Sequence, residues 1–236
     1  LNYFLKQRTG KAGFFFQRDY EWRCKGMMGK RKALYASLSR EEGTMEEMLE
    51  IRWHGREGQG AKTAALLLGE AVVQTGKYMQ AFPDYGPERM GAPMRAYNRI
   101  SNDPIRIHSG VTSPKVVAVL DSTLLGKVDV TQGMHEDGIL LVNTSHAPGE
   151  IRSKLQLMGK RVYTIDANRI SLELLGRPMP NTPMLGALIK VTAVVGLEEL
   201  IDDTRRKLEK KFKHRPEVIA GNLQAIRRAF QEVRAE

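Results

Sequence analysis

An α/β layered domain is what this sequence predicts: a mostly parallel sheet with an antiparallel hairpin, and a helical C-terminal region. Three observations carry the prediction. The continuous apolar runs Lys115–Leu120, Gly138–Val142 and Arg161–Ile165 each stop at polar residues (Asp121, Asn143-Thr144 and Asp166), as strands buried on both faces do. Helical stretches follow strands along the chain, in the rhythm that builds parallel sheets. Met94–Ile100 and Ile105–His108, separated by the turn residues Ser101-Asn102-Asp103-Pro104, suggest the hairpin.

In chain order, Glu50–His54 is the first strand, with Ile51 and Trp53 on one face. Gly55-Arg56-Glu57-Gly58-Gln59-Gly60 leads into a helix from Ala61 to Gln74, closed by Gly76. Tyr78–Phe82 is a second strand, followed by a Pro/Gly-rich loop, Pro83–Pro93. Beyond the apolar strands, helices are expected near Ile170–Leu175, Met184–Val195, Leu197–Phe212 and Pro216–Val233. Asn181-Thr182-Pro183 has the form of a capped helix start, with Thr182 as N-cap and Pro183 in the first turn. With no repeat and no internal linker, Met45–Glu236 reads as one domain.

The chain has 236 residues and a net charge of +10, most of it near the start: residues 1–44 hold 10 Lys/Arg against 4 Asp/Glu. That segment interleaves basic and aromatic residues, a pattern met in nucleic-acid-binding arms, but it carries no stacking motif and no secondary-structure period. Arg40-Glu41-Glu42-Gly43-Thr44 before Met45 can be encoded by a purine-rich, ribosome-binding-like run. Residues 1–44 are therefore expected to be translated leader, with the native start at Met45 or Met48. A single cysteine, Cys24, excludes an internal disulfide framework and any all-Cys zinc or iron–sulfur site in this chain. No apolar run is long enough for a membrane span or a secretory signal, so the expected compartment is the cytoplasm. Asp121, Asp166 and Asp202-Asp203 are too isolated for a metal site, and the scattered histidines form no nucleophile–base pair. Arg205–Arg215, with seven Lys/Arg and one Glu, is a solvated helix end or a dock for an acidic partner.

Ligands of open α/β sheets gather at the carboxyl ends of the strands, and four such ends carry chemistry: His54–Gly60, Phe82–Met94, Asp121-Ser122 and Asn143-Thr144-Ser145. A strand that stops in glycines and restarts as a helix aims the helix's unpaired N–H groups at a bound anion. The spacing nevertheless misses the phosphate-binding loop by one Ala before Lys62, and Gly-x-x-Gly-x-Gly is not the dinucleotide order. A tight strand-to-helix turn and an anion site both fit the pattern. A free-standing nucleotide-binding protein stays open on these residues.

Three longer stretches are more specific. Ile51-Arg52-Trp53-His54-Gly55-Arg56-x-Gly58-Gln59-Gly60, Gln80-Ala81-Phe82-Pro83-x-Tyr85-Gly86-x-Glu88-Arg89-x-Gly91-Ala92-Pro93 and Asn181-Thr182-Pro183-Met184-Leu185-Gly186-Ala187 resemble the gamma subunits of 2-oxoacid:ferredoxin oxidoreductases, most closely those for pyruvate. Asp137–Thr144 and Val162–Ala167 match the same family in order, and the resemblance spans Glu50–Val233. One departure is Glu57, where many members have Gly or Ala.

The resemblance implies a Rossmann-like layered fold and a place in an enzyme that converts pyruvate, coenzyme A and oxidised ferredoxin to acetyl-CoA, carbon dioxide and reduced ferredoxin. It implies alpha, beta and delta partner subunits. Thiamine diphosphate with magnesium lies between alpha and beta, the iron–sulfur clusters lie in beta and delta, and neither nucleic acid nor membrane is involved. The gamma chain then carries no catalytic residue and no metal; it assembles the complex and helps enclose coenzyme A. The residues expected at that site are Gly55, Arg56, Gly58, Gln59, Gly60, Arg89, Asn143 and Thr144, with the arginines supplying charge, Gln59 and Asn143 amides, and Thr144 a hydroxyl. Gamma subunits for 2-oxoisovalerate or 2-oxoglutarate are the nearest alternatives. The apolar helix Met184–Val195 and the Pro83–Pro93 loop are expected to cover partner surfaces as well as the domain's own core.

Overall fold

The computed structural model describes residues 48–84 and 91–236. The expected leader, residues 1–44, and Arg89 in the Pro/Gly-rich loop lie outside the described residues.

The strands are β1 (Leu49–Arg56), β2 (Tyr78–Asp84), β3 (Pro93–Ser101), β4 (Val116–Val119), β5 (Ile139–Asn143), β6 (Arg161–Ile165) and β7 (Arg234–Ala235). They form one seven-stranded sheet in the order β2-β3-β1-β4-β5-β6-β7. Its centre, β1-β4-β5-β6, is parallel; β2 and β3 at one edge and β7 at the other are antiparallel to their neighbours. Pleating divides the apolar runs between two cores. Ile51, Trp53, Val116, Ala118, Leu120, Ile139, Leu141 and Ile165 meet the main helical layer. Val117, Val119, Leu140, Val142 and Val162 pack beneath Leu124, Leu125, Val130, Met134, Ile151 and Leu157 on the opposite face.

The helical layer holds α1 (Ala61–Gln74), α3 (Ala167–Leu175), α4 (Asn181–Thr192), α5 (Leu197–Lys211) and α6 (Pro216–Glu232); α2 (Pro148–Leu155) lies on the other side. Helix α1 turns Ala61, Ala64, Ala65, Leu68, Ala71 and Val72 inward at helical spacing, and its small residues let it sit close to the sheet. A buried chain of bonds fixes it there: Trp53 Nε1 donates to Asn98 Oδ1 at 2.8 Å, and Asn98 Nδ2 donates to the Ala65 carbonyl at 2.8 Å.

Several expectations are corrected. The antiparallel hairpin is formed by β2 and β3, not by Met94–Ile100 with Ile105–His108. Strand β3 is already flanked by β1 and β2, so it has no edge left for Ile105–His108. That segment is instead held by the buried Arg99, whose guanidinium donates to the Ile107 and Gly110 carbonyls while its Nε pairs with Glu50 at 2.7 Å. Strand β1 runs on to Arg56 because β3 continues beside it, pairing Gly55 with Met94 and Arg56 with Pro93. Helix α4 starts three residues before the expected Met184, with Pro180 as N-cap. Thr182 is therefore not the cap; its hydroxyl donates to Asn222 Oδ1 at 2.9 Å and ties α4 to α6. Every residue of α4 from Asn181 to Ile189 is buried within the domain, which leaves only its end, from Lys190 to Ala193, at the surface. Helix α2 was not foreseen, being a single short segment with only Pro148 and Ile151 buried. Strand β7 was not foreseen either, since two exposed residues carry no period. Among the described residues, no helix is long and apolar enough to cross a membrane.

Candidate functional site

The carboxyl ends of β1, β4, β5 and β6 lie along one edge of the parallel centre, and the turn from β1 into α1 rises from it. Gly58 and Gly60 have φ of 97° and 83°, a left-handed conformation that side chains resist, so both glycines are required by the turn itself. Gly55 is different: its φ is not positive, and a methyl there would meet only ordinary 3.5 Å contacts. Gly60 is the N-cap of α1. No side chain caps this helix and no acid stands in its first turn, leaving a helix terminus that favours negative charge.

Arg56 at the tip of β1 and Gln59 in the turn converge on one carboxylate. Arg56 Nε and Gln59 Nε2 donate to Asp121 Oδ2 at 3.0 and 2.7 Å, while Thr123 N donates to Asp121 Oδ1 at 2.9 Å. Gln59 Oε1 accepts from the Arg56 amide at 2.8 Å, closing the turn on itself. The Arg56 guanidinium also donates to the Gly91 carbonyl at 3.1 Å and to Thr123 Oγ1 at 3.0 Å. Burial pushes the Asp121 carboxyl up, but the bonds from Thr123 and Gln59, with Arg56 beside them, outweigh this and hold it below the usual carboxylate range. Arg56 is thus positioned rather than loose: its side chain keeps 27% exposure, and each Nη carries a second hydrogen. Glu57, the one departure from the resemblance noted above, is exposed and takes no part in these bonds.

Removing the Asp121 carboxylate should dismantle the turn. Asp121→Ala strips a charged acceptor from Arg56 and Gln59 together, and a loss of about 1.5–3 kcal/mol is expected, read as a lower urea midpoint. The carboxyl's folded value is depressed, so its contribution is in place above the usual carboxylate range and fades as the pH falls through the folded value. An unchanged midpoint at neutral pH would show that the turn stands without it.

The other expected residues divide. Asn143 ends β5, but its amide is used inside the fold. Nδ2 donates to the Leu120 carbonyl at 2.8 Å, and Oδ1 accepts from the Ala167 and Asn168 amides at 2.9 and 3.3 Å. It ties the end of β4 to the start of α3, and at 2% exposure its amide is committed there rather than to a ligand. Thr144 is buried as well; its hydroxyl accepts from the His146 amide at 3.2 Å, and the loop beyond it is held by Arg234, which donates to the Ser145 and His146 carbonyls at 2.9 Å. The structure therefore brings Arg56, Gln59 and the glycine turn together, with Asn143 and Thr144 as the framework of the neighbouring strand ends.

Two residues outside the expected coenzyme-binding set lie against the turn. Asp121 carried a signal, as the polar residue ending an apolar strand, but nothing local pointed it at Arg56. Asn181, at the start of α4, packs its amide on Gly60: a methyl at Gly60 would lie 2.9 Å from Asn181 Cγ and Nδ2. Among the described residues no group of three or more His, Cys, Asp or Glu is arranged to hold a metal. His54 is buried in β1, and His146 pairs with Glu150 at 2.8 Å on the surface.

Residues 50–232 match the family model for pyruvate ferredoxin/flavodoxin oxidoreductase. The chain belongs to this family. Pyruvate synthase subunit PorC of Thermotoga maritima is 49% identical over 189 residues, covering 80% of this chain and 96% of that one. The common gamma subunit of the pyruvate and ketoisovalerate oxidoreductases of Pyrococcus furiosus is 50% identical over 160 residues, covering 66% and 86%. Among solved structures, pyruvate oxidoreductase subunit PORC from Thermotoga maritima superposes with a TM-score of 0.70 at 46% identity, covering 81% of this chain and 99% of that one. The 2-oxoglutarate:ferredoxin oxidoreductase of Magnetococcus marinus shares the fold, at a TM-score of 0.63 and 19% identity over 30% of its chain. In that much longer chain, the same fold is one part of a larger polypeptide.

Proposed function

We propose that this chain is the gamma subunit of a pyruvate:ferredoxin oxidoreductase, with Met45–Glu236 as the gamma domain. Its partners on this reading are alpha, beta and delta subunits, with ferredoxin as electron acceptor, working in the cytoplasm. What carries the reading is the near-complete alignment, at about half identity, with a subunit named for pyruvate synthase. Thiamine diphosphate, magnesium and iron–sulfur clusters then reside on the partner chains. This chain's contribution is to hold coenzyme A at a subunit boundary. The coenzyme's diphosphate suits the uncapped, acid-free start of α1, with Arg56 beside it and Gly58 and Gly60 allowing close approach. Gln59 keeps Arg56 in place through Asp121, and Arg89 remains a candidate from its place in the sequence. The acid substrate is not chosen here: the Pyrococcus furiosus relative is named as common to two oxidoreductases of different acids.

The test uses the assembled complex. Arg56→Ala should raise KM for coenzyme A by roughly tenfold or more, the effect of losing one charge-assisted contact, with KM for pyruvate and thiamine retention unchanged. Equal changes for both substrates, or none, would remove Arg56 from the coenzyme site. Pyruvate turnover by the rigorously pure single chain would overturn the subunit assignment.

A further inference from the structure

Resting on that reading of the coenzyme site, we propose that Asn181 is a coenzyme A-binding residue, and that the start of α4 is a second wall of the site. Two helix N-termini meet here, across the contact between the Asn181 amide and Gly60. Both α1 and α4 lack a side-chain cap, and neither has an acid in its first turn. The other helices treat their starts differently. Glu150 Oε1 accepts from the Ala147 amide at α2, Asp166 Oδ1 caps α3, and α5 and α6 open with Glu198-Glu199 and Glu217. The two starts that converge are the two left without negative charge, which is the electrostatics a diphosphate requires.

Asn181 supplies an observation independent of the helix ends. The residue is only 5% exposed, yet its Oδ1 is buried without any hydrogen-bond partner. Buried side-chain polar atoms nearly always find a partner, so an orphaned amide oxygen in a side chain that packs on Gly60 points to a group that a ligand brings. Its position is not accidental. Thr182, the next residue, is pinned to Asn222, and Asn222 Nδ2 is itself bonded to the Val218 carbonyl at 2.7 Å, so the first turn of α4 is anchored to α6. Gly60 accommodates the amide, since any side chain there would collide with it. An amide oxygen accepts hydrogen bonds, so its complement is an N–H or O–H of the coenzyme lying next to the diphosphate, while the helix N–H groups face the phosphates.

Two measurements on the assembled complex test this. In hydrogen exchange of the unaltered complex, coenzyme A should slow exchange in peptides covering residues 178–184 as well as 56–64. Protection of 56–64 without 178–184 would overturn the role of Asn181 and leave the coenzyme site standing; protection of neither would overturn both. In kinetics, Asn181→Ala should raise KM for coenzyme A by roughly three- to tenfold with KM for pyruvate and kcat unchanged. Asn181→Asp, which keeps the shape but sets a negative charge beside the phosphates, should raise it further. Variants that shift both substrates alike, or neither, would assign Asn181 to packing alone.

Discussion

Gly186→Ala should lower the thermal midpoint of the chain by about 6–12 °C, the reverse of what the substitution does in an ordinary helix. In an exposed helix interior, alanine gains up to about 1 kcal/mol over glycine. Gly186 lies in the middle of α4, buried from Asn181 to Ile189, where α6 crosses so closely that a β-carbon would fall well inside contact of the Ile226 carbonyl oxygen and 2.9 Å from its carbonyl carbon. Both obstacles are backbone, so no side chain can rotate away and the two helices must separate. Overpacking of this kind costs about 3 kcal/mol, which in a folded unit of this size gives the stated shift. Gly58→Ala provides the comparison: nothing lies within 4 Å of its missing β-carbon, and only its φ of 97° resists, so about 1–2 kcal/mol is expected. If Gly186→Ala proved as mild as Gly58→Ala, the close crossing of α4 and α6 would be wrong. The first turn of α4, with Asn181 in it, would then lose its anchor.

The same two helices show where sequence reading succeeds and where it stops. The bounds of α1 were legible because its apolar period runs unbroken between Gly60 and Gly76, and β4 and β5 because a strand buried on both faces reads as an apolar run up to the polar residue that ends it. What failed were choices between neighbours. Ile105 and Ile107 look like a strand beside Met94–Ile100, yet which chain pairs with β3 is decided by β1 and β2, distant in sequence. The start of α4 differs from the expected one for a related reason. Asn181-Thr182-Pro183 resembles a local cap, but the Thr182 hydroxyl finds a better partner on α6. At the site, the glycine turn was visible from spacing alone. The carboxylate that holds Arg56 was not, because it arrives from the end of a different strand. Asn143 illustrates the limit most plainly: its place at a strand end was readable, whereas the direction of its amide depends on where α3 begins.

Acidification should weaken the fold well above the pH at which carboxylates titrate, and His54 is the group responsible. It sits in the interior of β1, paired across the sheet with Arg95 on β3 and Val119 on β4, and its Nε2 is buried without a hydrogen-bond partner. Burial, with Arg52 and Arg95 nearby and only Asp129 opposing them, drives the imidazole down to about 3. The unfolded chain, with an ordinary histidine near 6.5, therefore takes up a proton that the folded chain refuses. Across the window from about 6.5 down to about 3 the unfolded state binds more protons, so stability falls as the pH falls, by about 1.4 kcal/mol per unit and about 2 kcal/mol by pH 5. His54→Gln keeps a neutral polar side chain but cannot titrate. Its own stability at pH 7.5 can fall from imperfect packing, but its loss between pH 7.5 and pH 5 should be smaller than the parent's by about that amount. Urea midpoints of both proteins at the two pH values give the comparison. Parallel losses would mean that His54 protonates within the fold, and that Arg52 and Arg95 do not govern this stretch of β1. A steeper loss in the parent would tie the acid sensitivity to His54, in the strand that carries Arg56 at its tip; because the folded chain does not take up that proton, coenzyme A affinity of the folded complex should stay level over the same window.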